Sequence, residues 1–313
     1  MTYYQFTPLY MERIWGGQKL KELFGREIPA DRPIGESWEL VDRSEAQSVC
    51  SEDGKSLHDL WTSPEKEAIF GKLSPKNERF PILIKILDAR EKLSLQVHPP
   101  ARLAPKFNGE PKTEMWYFLH TEPGADIFVG LKKGVTKESF TKAIEEKKVA
   151  SCFHVLPTEP RETMFLPSGR VHAIGCGNVI LEIQQNSDTT FRVYDWDRVD
   201  SSGKSRALHI AESLECIDFK DYEPQFTQPH GEKIISSPLF NVSRASFFDQ
   251  EERAITLDGS SFQYLFVTEG EFEFLDRTWK PADSIFLRAD SGTIDIQSKS
   301  EFAEIVCVSF PVR

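Results

Sequence analysis

The chain has 313 residues, 38 basic against 49 acidic side chains for a formal net charge of −11, and 39% hydrophobic residues that include 23 Phe and 6 Trp. That much apolar material excludes a disordered chain and suffices for one large domain or two modest ones. The acidity excludes a general nucleic-acid binder but not an anionic small molecule, whose site needs only a few local cations. Five cysteines (Cys50, Cys152, Cys176, Cys216 and Cys307) form no C-x-x-C pair, which fits a reducing cytoplasm better than a disulfide framework. The first residues lack a basic start and apolar stretch, and no segment approaches the ~18 apolar residues of a membrane span, so a soluble cytoplasmic protein without membrane partners is expected.

In chain order, 56–70 reads as helical and 80–87, 93–98, 114–119 and 127–131 read as strands. Thr136 caps a predicted helix over 136–148. Strands follow at 163–166, 179–184 and 190–196, then a helix at 207–217. Short strands punctuated by 18 glycines and 19 prolines predict a mainly β protein, a sandwich or barrel with helical insertions. Pro160-Arg161-Glu162-Thr163-Met164-Phe165-Leu166 is similar to Pro281-Ala282-Asp283-Ser284-Ile285-Phe286-Leu287, and each follows an aromatic-rich strand pair. Two β-barrels in tandem would give this repeat; chance similarity between strands is the alternative. The polar stretch 222–238 marks the expected boundary, dividing the chain into 1–225 and 226–313. All seven histidines lie at or before His230, which places metal chemistry in the first part.

Leu93-Ser94-Leu95-Gln96-Val97-His98 alternates strictly, so in a strand Ser94, Gln96 and His98 share one face. Glu114 opens the next aromatic-rich strand, and His172 follows the turn residues Pro167-Ser168-Gly169-Arg170-Val171. Together they offer one amide oxygen, two imidazoles and one carboxylate, a set suited to a divalent borderline metal such as zinc. One carboxylate against a dication leaves a net positive site that favours anionic oxygens. Taken singly, either histidine reads as an ordinary satisfied side chain; the joint pattern favours ligands.

The stretch from Gln96 to Gly130 and Pro167-x-Gly169-x-x-His172 resemble the two cupin motifs, with Gln96 in place of the usual first histidine. Gln96-Val97-His98-Pro99, Lys112-Thr113-Glu114-Met115-Trp116-Tyr117 and Gln185-Asn186-Ser187-Asp188-Thr189-Thr190-Phe191-Arg192 resemble the signatures of type I mannose-6-phosphate isomerases. Glu12-Arg13-Ile14-Trp15-Gly16-Gly17 and Gly35-Glu36-Ser37-Trp38-Glu39 are similar to the short bacterial branch. The likeness is strong over 5–220 and general beyond. It implies two tandem cupin-like (jelly-roll) β-barrels, the second without metal ligands. It also implies one zinc ion per chain on Gln96, His98, Glu114 and His172, and a catalytic Arg192. Lys85 and Ser94 match residues near the bound sugar phosphate. Pro100 departs from the family's usual Asn or Asp.

The implied reaction is the reversible isomerisation of mannose 6-phosphate and fructose 6-phosphate through a cis-enediolate. Metal and Arg192 stabilise the charge, and Lys112 is a second catalytic candidate facing the substrate. The base stays open between a metal-bound water, a histidine and a carboxylate such as Glu182. Lys85, inside the apolar run 81–87, reads either as a substrate contact or as a solvent-facing residue of an edge strand. Thr190, Arg192 and Tyr194 share one strand face. The acidic run 194–200 reads as a solvated loop rather than a calcium site. Gly16-Gly17 and Gly175-Cys176-Gly177 read as tight turns, and Cys176 as a packed thiol. The competing functions are a non-catalytic sugar-phosphate-binding regulator and a metal-dependent oxygenase. A monomer or homodimer is expected.

Overall fold

The structure is a computed structural model that describes residues 2–199 and 203–311. It is predominantly β, and its described residues form two compact units. One comprises Met1–Leu9, Trp38–Leu83 and Thr227–Arg313; the other comprises Tyr10–Ser37 and Ile84–Phe226. The units therefore interleave along the chain.

The Tyr10–Ser37/Ile84–Phe226 unit carries the predicted site. Its five-stranded sheet runs Phe153–Pro157, Asp126–Leu131, His172–Ile174, Leu95–Val97, Phe191–Tyr194. A six-stranded sheet runs Thr163–Leu166, Glu114–Thr121, Asn178–Gln185, Ile82–Ala89, Ile34–Leu40, Leu9–Gly17. Alternation sorts the side chains of the smaller sheet. Leu95, Val97, Phe191 and Val193 face a cluster with Phe140 and Cys216, which lie on the helices Lys137–Glu145 and Ile210–Cys216. Gln96 and Arg192 face the other way. A second apolar cluster, with Trp116, Phe118, Val129, Leu166 and Ile174, joins residues of both sheets. The site lies beside this cluster, so its polar groups are desolvated by the same packing that stabilises the fold.

The helices follow the sequence signals. Thr136 caps the helix Lys137–Glu145 by accepting from Ser139 N at 3.2 Å. The predicted helix 56–70 is two short helices, Leu57–Thr62 and Lys66–Phe70. Pro64 forces the break, because Ser63 before it is extended (φ −70°, ψ 160°). The helix Lys19–Phe24, closed by a left-handed Gly25 (φ 65°), has too few residues to leave a periodic signal in the sequence.

The other unit contains a six-stranded sheet in the order Tyr3–Tyr4, Ser284–Leu287, Gln263–Glu269, Phe302–Ser309, Asn241–Phe248, Lys233–Ser236, and a four-stranded sheet. Phe247, Phe272, Trp279, Leu287 and Ile305 form its core. The sequence repeat has a structural counterpart in each unit. Thr163–Leu166 pairs antiparallel with Glu114–Thr121, and Ser284–Leu287 with Gln263–Glu269. Both are preceded by a left-handed turn residue, Arg161 (φ 71°) and Ala282 (φ 68°). In both turns the carboxylate three residues on, Glu162 or Asp283, accepts from the turn's first backbone N–H.

Candidate metal centre and its cavity

Strand register assembles the site. His172 and Arg192 each lie opposite Gln96 on its two neighbouring strands, so the three form one row across the five-stranded sheet. On the other sheet Glu114 pairs with Gln184, and Glu182 with Trp116. His98, Glu114 and His172 converge, with one donor atom from each within 4.8 Å of the others, and all three are at most 1% exposed.

The imidazoles are oriented from behind. His98 Nδ1 lies 2.9 Å from Thr189 O and His172 Nδ1 3.0 Å from Arg170 O. A carbonyl oxygen only accepts, so both Nδ1 atoms carry the proton and both Nε2 atoms present lone pairs. Those lone pairs face Glu114, at 3.4 Å for His98 and 3.3 Å for His172. His98 Nε2 and Glu114 Oε1 lack a hydrogen-bond partner, while Glu114 Oε2 has the Lys112 ammonium at 3.1 Å on one side. Buried lone pairs directed at one another are repulsive unless a cation sits among them. Burial pushes the His98 imidazole down to about 4, with the Lys112 ammonium adding to the effect, and burial likewise lowers His172. Burial alone would raise Glu114, but the Lys112 ammonium at 3.1 Å holds it well below the usual carboxylate range. The donors are thus two neutral imidazoles and a carboxylate, the protonation states a divalent metal requires. Gln96 is adjacent: its Nε2 is 3.5 Å from His172 Nε2, and its Oε1 accepts from Ser94 at 3.3 Å. A half-turn of the amide presents Oε1 to the same point.

A cavity of about 360 Å³ opens beside this group, lined in part by Lys85, Ser94, Gln96, Lys112, Glu182 and Arg192. Every predicted site residue therefore lies in the metal group or on this cavity. Lys85 is 2% exposed on the strand Ile82–Ala89, which has a neighbour on either side; the solvent-facing edge reading is overturned. Its ammonium is 3.5 Å from Glu182 Oε1, and that of Lys112 is 3.7 Å from the same oxygen and 3.1 Å from Glu114. Trp116 Nε1 donates to the other Glu182 oxygen at 2.9 Å. Burial lowers Lys112, but Glu114, Glu182 and Asp188 raise it above its ordinary value, so it stays charged.

Several details differ from expectation. Tyr194 leaves the face of Thr190 and Arg192, because the register shifts between Arg192 and Tyr194; it packs against Trp196 instead. Asp195 is buried in a bidentate pair with Arg206 at 2.7 and 2.6 Å rather than solvated, while Asp200 lies outside the described residues. Gly16 and Gly17 end a strand and are sites of close approach, not a turn. Cys176 is exposed. Pro100 causes no disruption: its carbonyl accepts from Leu103 and Ala104 and starts the helical turn Ala104–Phe107.

Sequence reasoning missed Arg13, Glu36, Asp188 and Arg206 as cavity residues. Arg13 and Glu36 lie in segments noted only for their likeness to a family, and Arg206 sits in a polar stretch without periodicity. A larger cavity of about 550 Å³, lined in part by Lys19, Arg32, Asp88 and Glu122, lies away from the metal group.

The phosphomannose isomerase type I catalytic-domain family model matches residues 4–110. The mannose-6-phosphate isomerase ManA of Bacillus subtilis is 35% identical over 309 residues, 95% of this chain and 96% of that protein. The crystal structure of the mannose 6-phosphate isomerase from Bacillus subtilis superposes with a TM-score of 0.86 at 28% identity, covering 98% of this chain and 99% of that one. A structure described as mannose 6-phosphate isomerase bound with zinc and yttrium shares the fold, with a TM-score of 0.76 at 18% identity and full coverage of both chains. With a relative of this identity spanning nearly both lengths, the chain belongs to the type I mannose-6-phosphate isomerase family.

Proposed function

We propose that this chain is a mannose-6-phosphate isomerase that interconverts mannose 6-phosphate and fructose 6-phosphate. The observation that carries the proposal is the buried convergence of two Nε2 lone pairs on the Glu114 carboxylate, beside a cavity lined by lysine and arginine. Gln96, His98, Glu114 and His172 would hold one zinc ion, which supplies Lewis acidity toward the carbonyl and hydroxyl oxygens of the open-chain sugar. The chain's own residues do the rest. Both histidines have each ring nitrogen committed, Nδ1 to a carbonyl and Nε2 to the metal point, so neither is free to act as base. Glu182 is the carboxylate beside Lys112, fixed by Trp116, and we assign it the proton transfer between C1 and C2. Lys112 and Arg192 stabilise the negative charge of the cis-enediolate, each working in a site where burial strengthens electrostatics. Lys85 and Ser94 contact the substrate.

We further propose that function divides along the sequence, with chemistry in 1–225 and a metal-free β domain in 226–313; every side chain named in the site lies between Arg13 and Arg206. All five cysteines are free thiols, which supports a reducing, cytoplasmic setting.

The deciding experiment is a coupled assay on both hexose phosphates with and without chelator. Turnover is expected, lost on chelation and restored by zinc. Arg192→Ala should lower kcat by roughly 10²–10³ while the zinc content stays at one per chain. Absence of turnover on either sugar with zinc bound would refute the proposal.

A further inference from the structure

We infer that Arg13 and Arg206 form the subsite for the substrate's phosphate, at the solvent side of the cavity; this rests on the isomerase reading above. The cavity lining holds five cations, Arg13, Lys85, Lys112, Arg192 and Arg206, against three carboxylates, Glu36, Asp188 and Glu182. In a chain of net charge −11, that local excess of two positive charges matches a phosphomonoester, which carries about −1.5 to −2 near neutrality.

The five cations are not equivalent. Lys85 and Lys112 have side chains only 2% and 6% exposed, and carboxylates already surround them: Glu182 for both, with Glu114 for Lys112 and Glu36 near Lys85. A dianion placed there would face those carboxylates after losing its hydration. Arg13 and Arg206 are 31% and 25% exposed, so a phosphate beside them keeps part of its water. Each is braced by an acid without being used up. Arg206 gives Nε and Nη2 to Asp195, leaving Nη1 outside that pair, and Arg13 gives Nη2 to Glu36 at 3.0 Å and Nη1 to the Glu12 carbonyl at 3.1 Å, leaving Nε outside both. Such bracing fixes a guanidinium for fork-like contact with phosphate oxygens. Arg192 lines the same cavity, and its Nε is buried without a hydrogen-bond partner. After burial, Arg206 depresses its affinity for a proton, Asp195 and Asp188 partly oppose this, and Arg13 adds a smaller depression, so Arg192 is repelled by both of the other guanidinia. A bound dianion relieves that repulsion.

The assignment orients the substrate. The phosphate sits outward at Arg13 and Arg206, and the C1–C2 end reaches inward to Gln96, Lys112 and the metal group.

The test uses the zinc-loaded full chain with Arg13→Gln, Arg206→Lys and the double variant. KM for mannose 6-phosphate should rise about tenfold to a hundredfold per variant, the range for loss of a charged hydrogen bond. The inhibition constant of inorganic phosphate should rise by the same factor. Arg206→Lys keeps a partner for Asp195, so it reads loss of the fork rather than loss of folding. Unchanged KM in the double variant overturns the inference. A raised KM with an unchanged phosphate inhibition constant also overturns it, by placing the arginines on the sugar. Calorimetry of inorganic phosphate binding to wild type and variants should show the same loss of affinity independently of turnover. If wild type turns over neither sugar yet binds phosphate through these arginines, the isomerase reading fails and the subsite stands.

Discussion

Two buried carboxylates show how neighbours decide ionisation. Glu114 is fully buried, but the Lys112 ammonium keeps it charged and ready for a cation. Asp88 is also buried, yet its contact is the backbone N–H of Lys19 at 2.7 Å, and burial pushes its carboxyl up to about 6. The folded pKa lies above the ordinary value of about 3.8, so ionised Asp88 opposes folding above pH 6, and the opposition fades as pH falls through 6 toward 4. Asp88→Asn keeps an acceptor for Lys19 N and removes the charge. It should stabilise the protein by about 2 kcal/mol at pH 7, a shift of roughly two pKa units discounted for partial hydration. The gain should disappear near pH 4. Melting curves of both proteins across pH 4–8 check this, and an equal gain at every pH would mean the charge is not the cause.

At the scale of elements, the site depends on how closely two strands approach. The added Cβ of Gly16→Ala would lie 2.4 Å from Gly35 N and 2.5 Å from Ile34 C, both backbone atoms that cannot swing away. That of Gly35→Ala would lie 2.5 Å from Arg13 Cβ. The glycines thus let Leu9–Gly17 and Ile34–Leu40 bring Arg13 and Glu36 within an ion-pair distance of 3.0 Å. Gly16→Ala should cost roughly 3 kcal/mol, at the severe end for overpacking. Gly25→Ala, in open space at φ 65°, should cost only about 1 kcal/mol. Urea unfolding of the two variants tests the contrast; equal losses would show that conformation, not close approach, matters at Gly16. The paired strands that carry Gln96 and Arg192 behave differently: the parity that placed Gln96 correctly failed two residues past Arg192, where the register slips and redirects Tyr194.

For the whole molecule, metal binding should stabilise one set of strands selectively. At a free zinc concentration of about 1,000 times Kd, ligation contributes about 4 kcal/mol. Chelation should lower the melting temperature and raise amide exchange in Leu95–Val97, His172–Ile174 and the start of Glu114–Thr121, which carry or flank the donors. Gln263–Glu269 and Phe302–Ser309, whose unit has none of the grouped ligands, should keep their protection. Uniform loss of protection would refute a local role for the metal.

Much of this was legible in the chain. Alternation at 93–98 put Gln96 on the polar face, and residue chemistry singled out His98, Glu114 and His172 as donors. These are local properties, set by the two-residue period of a strand and by what each side chain can donate. The family resemblance supplied the sugar and pointed to Arg192. Other features arise only when distant segments meet. Whether Lys85 faced solvent depended on strands at both its sides. The neutral tautomers of His98 and His172 depended on carbonyls of Thr189 and Arg170. The rim of Arg13, Glu36 and Arg206 depended on two glycines permitting a close strand approach and on Asp195 leaving the solvent. The sequence by itself determined which groups could bind a metal and an anion; tertiary structure decided which are desolvated, which are paired, and which way the substrate can lie, because burial and charge proximity are properties of the assembled fold.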